Sequence, residues 1–194
     1  MKIENHIFKE SQIYNSPNFN ERPDESDIRL IIIHCISLPP DQYGGDFVKD
    51  FFLNNLDTTK HEYFNEIKDL KVSPHIFIKR NGEVLQFVPF NKRAWHAGVS
   101  CYKGVEDCND YSIGIELEGN EKDLYTDNQY EVLIYTTNEI LKKYPNIKHL
   151  NLSNTNVDDK ALNELANSES LKNSLHTLNL SGCRGVTNVS RLAG

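Results

Sequence analysis

The chain has 194 residues, 38% of them hydrophobic and 25% charged, which excludes a wholly disordered or fibrous protein. Its 21 lysines and arginines are outnumbered by 28 aspartates and glutamates, and the net charge of −7 argues against a general nucleic-acid binder, which needs a basic surface. The sequence has no run of about 20 apolar residues that could span a bilayer. Its N-terminus also lacks the apolar core of a secretory signal. We therefore expect a cytoplasmic protein with no membrane partner and no nucleic-acid partner.

The first strongly predicted strand ends at a histidine. Residues 1–27 are polar and are interrupted by prolines, which indicates an extended arm. Residues 28–33 then form an apolar, β-branched run of the length of a strand buried on both faces. His34 follows directly, and polar residues at the end of a buried strand are often part of a binding site.

Further elements alternate between helix and strand up to residue 146. Asn81-Gly82 is a hairpin signal, and Thr126 with Gln129 matches a capping box at the start of a helix that stops before Pro145. The elements predicted in this stretch are a helix at 46–56, strands at 73–79, 83–88 and 111–118, and the helix that follows residue 126.

The last 48 residues have a different character. Ile147, Leu150 and Leu152 are repeated 28 residues later by leucines at positions 175, 178 and 180. Both units match the leucine-rich pattern LxxLxLxxNxL, whose period is about 20–29 residues. We therefore divide the chain into a domain at 1–146 and a leucine-rich-repeat-like extension of two units at 147–194. The alternative is a coincidental pair of short strands.

Two residues, His34 and Glu116, have side chains that could bind a metal ion or transfer a proton. His34 lies at a strand end, and Glu116 lies on a strand between Ile115 and Leu117, which point to the other face. A lone histidine beside an apolar strand is usually structural, and a lone glutamate is usually solvated. Their spacing alone therefore does not predict an active site.

Longer stretches of the sequence resemble a known family. The stretches are SPNFNERPD, IIIHCISLPPDQYGGDFV, VSPHIFIKRNGEVLQFVPFNKRAWHAGVS and CNDYSIGIELEG. In this order and spacing, from about Ser16 to Asn146, they resemble the AmpD-type N-acetylmuramoyl-L-alanine amidases of the amidase-2 family. The resemblance implies a zinc hydrolase with a mixed central sheet and flanking helices. It also implies cleavage of the amide between the lactyl group of muramic acid and L-alanine, in (anhydro)muropeptides that are recycled from peptidoglycan.

The resemblance assigns roles to four residues. His34 corresponds to the first zinc ligand, and Glu116 corresponds to the catalytic glutamate that activates or orients the zinc-bound water. Trp95 and His96, in the AWHAG motif, fall in the region that lines the substrate groove. Such chemistry is sensible, because Zn²⁺ lowers the pKa of a bound water to near neutrality and a carboxylate can carry its proton to the leaving amine.

The resemblance stops where the family's remaining ligands are expected. The family has a GHxDI-type and a KxDPG-type segment there, which supply a histidine ligand, an aspartate ligand and an oxyanion-stabilising lysine, and neither segment occurs here. His149 and Asp159 have a similar spacing and are candidate replacement ligands, although both also suit a solvated position in the repeat.

Three hypotheses follow for the function. The first is a zinc-dependent amidase of peptidoglycan recycling. The second is a catalytically inactive module that binds muropeptide while its leucine-rich tail binds a protein partner. The third is a fusion of an amidase with the end of a leucine-rich protein, without retained activity.

Overall fold

The computed structural model describes residues 2–190 and is built around a seven-stranded sheet. In chain order the strands are β1 (Ile3–Glu4), β2 (Ile7–Phe8), β3 (Gln12–Ile13), β4 (Phe19–Glu21), β5 (Leu30–Ile36), β6 (Ile76–Ile78), β7 (Val84–Gln86), β8 (Lys92–Ala94), β9 (Cys101–Tyr102), β10 (Val105–Glu106), β11 (Ser112–Glu118), β12 (His149–Asn151) and β13 (Thr177–Asn179). The central sheet has the order β13-β12-β5-β11-β6-β7-β3. β6 and β7 are antiparallel, and the other neighbours in this sheet are parallel. The predicted α/β fold with a mixed central sheet is confirmed.

The helices agree with the sequence signals at their ends. They are α1 (Phe47–Phe52), α2 (Phe64–Ile67), α3 (Asp127–Lys143), α4 (Asp159–Asn167) and α5 (Glu169–Ser174), with a 3₁₀ helix at Cys108–Asp110. α3 begins at the predicted capping box, in which Thr126 accepts from the Gln129 N–H and the Gln129 side chain accepts from the Thr126 N–H. The helix predicted at 46–56 is shorter than expected, and Asn54 just beyond it has a left-handed φ of 60°.

Each face of the sheet has its own cover. The apolar cluster on one face joins Ile31, Ile33, Ile113 and Ile115 of β5 and β11 to buried side chains of α3 and α4. The other face carries α1, whose Phe52 packs edge to face on Phe77 of β6. Beside α1, the chain segment that contains β9, β10 and the 3₁₀ helix covers β5 through a smaller cluster with Leu30 and Ile32. The carboxyl ends of β5 and β11 remain open between these covers.

The predicted boundary at residue 147 falls within one continuous sheet. β12 pairs in parallel with β5 on one side and with β13 on the other. His149 lies opposite Thr177, and Asn151 lies opposite Asn179, so these partners are 28 residues apart, as in the sequence pattern. α4 and α5 connect the two strands, and Leu150, Leu152 and Leu162 share the apolar cluster of β5 and α3. The packing of the extension is therefore continuous with that of the preceding residues.

The N-terminal region has more structure than an extended arm. It contains four short strands, of which β3 forms one edge of the central sheet by pairing with β7, and β4 pairs with β8. Ser16 and Asn18 are buried and bond to the Phe52 carbonyl at the end of α1. Short polar segments of this kind are fixed by tertiary hydrogen bonds, which sequence periodicity does not reveal.

Between residues 2 and 190, none of the helices combines the length and the apolar character needed to cross a membrane.

Candidate active site

His34 and Glu116 are direct neighbours across the sheet. They face each other in the parallel register of β5 and β11, and residues paired in this way point to the same face. Both side chains line an open cavity of about 360 Å³ at the carboxyl ends of these strands. Asn151 and Ser153, beside β5 on the β12 side, line the same cavity. The sheet thus brings together the two residues that the resemblance singled out.

Glu116 has an unusual environment for a carboxyl group. Its Oε2 atom is buried and has no hydrogen-bond partner among the described residues. Burial raises the pKa of Glu116 to about 8, because a desolvated carboxylate is disfavoured relative to the neutral acid. At neutral pH the group therefore mostly retains its proton. A pKa near the working pH suits a residue that both donates and accepts protons.

His34 is held by a second histidine. Its Nε2 lies 3.0 Å from Nδ1 of His96, and the Nε2 of His96 lies 3.1 Å from the Ser112 hydroxyl. Burial lowers the pKa of His34 to about 4, and burial together with His34 lowers the pKa of His96 well below its usual value. Both rings are therefore neutral at pH 7, and one nitrogen of the pair donates to the other. The Asn109 side chain fixes the loop by accepting from the backbone N–H of His96.

A glycine makes room for the His96 ring. A Cβ atom at Gly114 of β11 would lie 2.3 Å from Cγ of His96. We expect Gly114→Ala to destabilise the protein by about 1–3 kcal/mol, because the ring cannot stay in place and the His34–His96 contact is lost. Urea unfolding of Gly114→Ala, His96→Ala and the double variant measures the effect. In the His96→Ala background the alanine should cost at least 1 kcal/mol less. Equal costs in both backgrounds would contradict this explanation.

His75 and Arg22 form a buried support beside the site, in which His75 has the structural role that its place on a predicted strand favoured. His75 Nδ1 accepts from the Gly114 N–H (3.0 Å), and its Nε2 lies 3.0 Å from the Lys92 carbonyl. These partners define a neutral tautomer with the proton on Nε2. The guanidinium of Arg22 is bonded to backbone carbonyls, including that of Ser112 (2.6 Å). Because both residues serve backbone groups of β11 and its neighbours, they fix the strand that carries Glu116.

This support predicts acid sensitivity. Burial, assisted by the charge of Arg22, lowers the pKa of His75 from its ordinary 6.5 to about 3. Between these two pH values His75 is protonated in the unfolded chain but neutral in the folded chain. The free energy of unfolding therefore falls as the pH drops from about 6.5 towards 3. We expect the free energy of unfolding to decrease less steeply over this range in His75→Gln than in the wild type. Urea titrations at pH 7, 5.5 and 4 test this, and parallel pH profiles would disprove the role of His75.

The side chains around His34 do not fit a three-ligand zinc site. Within residues 2–190 no group of three histidine, cysteine, aspartate or glutamate side chains is placed to hold a metal ion. His34 Nε2 is occupied by His96, and the β12 side of the cavity presents Asn151 and Ser153. An amide and a hydroxyl are poor zinc ligands compared with imidazole, thiolate or carboxylate. We therefore derive no catalytic step through zinc.

The structure does not bring the two candidate replacement ligands to His34. His149 lies opposite Leu30, four residues before His34 and about 13 Å away along the sheet. Its ring packs against Tyr102 instead. Asp159 begins α4 and accepts from the backbone N–H groups of Thr187 and Asn188. The similar spacing in the sequence therefore does not place these residues at His34. The register of β12 against β5 fixes His149 beside Leu30, and Asp159 lies in the helix that follows.

Trp95 lies apart from the cavity wall. Its indole N–H donates to the Asn20 side chain (2.6 Å), which joins the loop after β8 to β4. The substrate-binding roles of Trp95 and His96 stay predictions. The sequence did not indicate Asn151 and Ser153, which line the cavity. It also did not indicate Ser112 and Gly114, which contact His96. Side chains alternate between the two faces along β11, so Ser112 and Gly114 lie on the same face as Glu116. This alternation is the sequence signal that could have indicated both residues.

Known proteins share long stretches of this sequence and its fold. The Amidase_2 family, described as N-acetylmuramoyl-L-alanine amidase, matches residues 24–162. The 1,6-anhydro-N-acetylmuramyl-L-alanine amidase AmpD of Haemophilus influenzae is 51% identical over 145 residues, which are 75% of this chain and 79% of that protein. AmpD of Escherichia coli is 49% identical over 132 residues, or 68% of this chain and 71% of that protein. A crystal structure of a selenomethionine derivative of AmpD superposes with a TM-score of 0.75 at 45% identity and covers 77% of this chain and 85% of that one.

The mixed sheet, with a buried glutamate and a histidine at the carboxyl ends of its central strands, is that of an α/β amidase. The chain belongs to the Amidase_2 family of N-acetylmuramoyl-L-alanine amidases. The predicted enzyme class is thereby confirmed.

Proposed function

We propose that this protein acts on 1,6-anhydro-N-acetylmuramyl peptides during cytoplasmic peptidoglycan recycling and cleaves the amide between the lactyl group and L-alanine. The observation that carries the proposal is the buried Oε2 of Glu116, which has no hydrogen-bond partner within residues 2–190 and belongs to a side chain that lines an open cavity together with His34. Relatives about half identical to this chain bear the name of that activity.

In this proposal Glu116 carries the proton that amide hydrolysis needs. Water adds to the amide carbon as the C–N bond breaks: Glu116 in its ionised form accepts a proton from the attacking water, and the neutral acid, which a pKa of about 8 favours at pH 7, donates that proton to the departing amine. The neutral His34–His96 pair places no second charge beside Glu116. The buried His75 keeps β11, and with it Glu116, in position.

A second candidate function is muropeptide binding without efficient cleavage. It is favoured by the poor fit of the described residues to a three-ligand zinc site. In this case the leucine-rich tail would serve as the surface for a protein partner. The assignment of that tail as leucine-rich-repeat-like is supported by the 28-residue register of β12 and β13 and by the intervening helix α4.

One experiment separates the two candidates. Purified protein, with and without added zinc, is incubated with an anhydromuramyl tripeptide. Zinc content is measured by elemental analysis, binding by calorimetry and release of the L-alanyl peptide by mass spectrometry. Release that is absent in Glu116→Gln supports the amidase. Binding without release, unaffected by a chelator, supports the second candidate. A protein that neither binds nor cleaves the muropeptide excludes both.

A further inference from the structure

We propose that a second cavity, beside the one that contains Glu116, binds a free carboxylate of the peptide stem through Arg80. This inference rests on the proposed muropeptide ligand and specifies which way that ligand lies across the sheet. The cavity has a volume of about 370 Å³ and is bounded by residues 43–45 after β5, residues 79–81 of the β6–β7 hairpin, and Glu118 of β11.

Arg80 is held in place but not neutralised. Its guanidinium stacks over the Tyr43 ring, with 4.5 Å between the guanidinium carbon and the ring centroid, and its Nη2 donates to the Leu124 carbonyl (3.1 Å). Its Nη1 is buried without a hydrogen-bond partner among the described residues. No ion pair of Arg80 with an acidic side chain is found between residues 2 and 190. A fixed guanidinium with an unpartnered N–H and no directly bonded carboxylate is suited to bind one.

The acidic groups nearest to Arg80 are already satisfied. Both oxygens of the buried Glu118 accept backbone N–H bonds, one from Gly44 (2.5 Å) and one from Arg80 (2.8 Å). Tyr43 donates its hydroxyl to Asp123. Lys79, the other cation of the cavity, forms an ion pair with Glu83, with 3.2 Å between its Nζ and the carboxylate oxygen, and its Nζ lies 3.9 Å from a carboxylate oxygen of Asp46. Among these groups, Arg80 is the one that still has an unpartnered N–H for an incoming anion.

The two cavities are close enough for one ligand to occupy both. Glu118 is two residues after Glu116 on β11 and points to the same face, so their Cα atoms are about 7 Å apart. Arg80 lies one strand further across the sheet, which adds about 5 Å. Two or three extended residues of a peptide span such a distance.

Charge then fixes the direction of the ligand. In an anhydromuramyl peptide the lactyl carboxyl is consumed in the amide, so every free carboxylate belongs to the peptide. The Glu116 cavity extends the other way to Asn151, Ser153 and Asn154, whose amides and hydroxyl suit sugar hydroxyl and acetamido groups. The sugar therefore lies towards β12, and the peptide lies towards Arg80.

The test compares two forms of one ligand. Calorimetry measures the affinity for an anhydromuramyl tripeptide and for the same compound with its peptide carboxylates amidated. We expect the wild type to prefer the free acid by about tenfold, as a charge-assisted hydrogen bond would give. Arg80→Gln should bind both forms about as weakly as the wild type binds the amidated one. Arg80→Lys should recover part of the preference, since it keeps the charge but not the planar fork.

Two control variants separate this effect from general ones. Lys122→Gln removes the same charge from an exposed position and should leave the preference unchanged. Asn151→Ala should weaken both forms equally and retain the ratio. The inference is overturned if the wild type binds both forms with equal affinity, or if Arg80→Gln retains the wild-type ratio. Failure of the wild type to bind either form overturns the proposed function and this inference with it.

Discussion

Glu116→Gln is expected to reduce the release of L-alanyl peptide by about 10²–10⁴-fold, the range typical of losing a general acid–base group. Glutamine preserves the shape of the side chain but neither donates an acidic proton nor recovers one. Binding of the anhydromuramyl tripeptide should change by less than about threefold, because the amide still fills the same volume. Single-turnover assays with mass-spectrometric detection, combined with calorimetry, measure both quantities.

The matched control for this prediction is Glu121→Gln. Glu121 lines the same cavity, but it is exposed, whereas Glu116 presents a buried oxygen without a partner. Its substitution should leave peptide release within a few fold of the wild type. If Glu116→Gln retained wild-type release while Glu121→Gln abolished it, the proton carrier would be Glu121.

Ending the chain after Asn146 is expected to abolish cooperative folding. β12 bonds to the backbone of Leu30, Ile31 and Ile32, and its removal would turn β5, whose first four residues are buried, into an unpaired edge. The apolar cluster would also lose Leu150 and Leu152, each at most 2% exposed. Near-ultraviolet circular dichroism and a thermal melt would show the loss of fixed packing.

A shorter truncation provides the control. A chain that ends after Ser174 keeps β12 and α4 and loses β13, whose residues are only half-buried. It should still unfold cooperatively, at a lower temperature than the full chain. Wild-type melting of the chain that ends at Asn146 would show instead that residues 1–146 fold independently, as the sequence division assumes.

Local signals predicted the central part of the fold well. The apolar run before His34 became β5, the alternation around Glu116 became β11, and Asn81-Gly82 separates β6 from β7. The capping box at Thr126 was confirmed atom by atom. These features depend on neighbours in the sequence, and short-range physics determines them.

Local sequence signals do not predict the contacts that build the site, because these contacts join residues far apart in the chain. His34 contacts His96, which lies 62 residues later in the chain, and β12 pairs with β5 across more than 100 residues. Their approach depends on the order of strands and on the empty space at Gly114, neither of which has a periodic signature. The residue types at the site could be named from the resemblance, but the supporting roles of Arg22, His75 and Asn109 required the three-dimensional arrangement.

The double pairing of β12 also limits how the tail can change. A strand bonded on both flanks has a fixed phase, in which Leu150 and Leu152 enter the apolar cluster while Asn151 and Ser153 face the cavity. Inserting one residue between His149 and Leu150, with the pairing of His149 to Leu30 kept, would exchange these two sets, placing leucines against the ligand and amides in the core. A residue inserted in the connection before β12 can instead be absorbed by that loop. Changes to this segment are thus limited by the alternation within the strand and not by the length of the chain that leads to it.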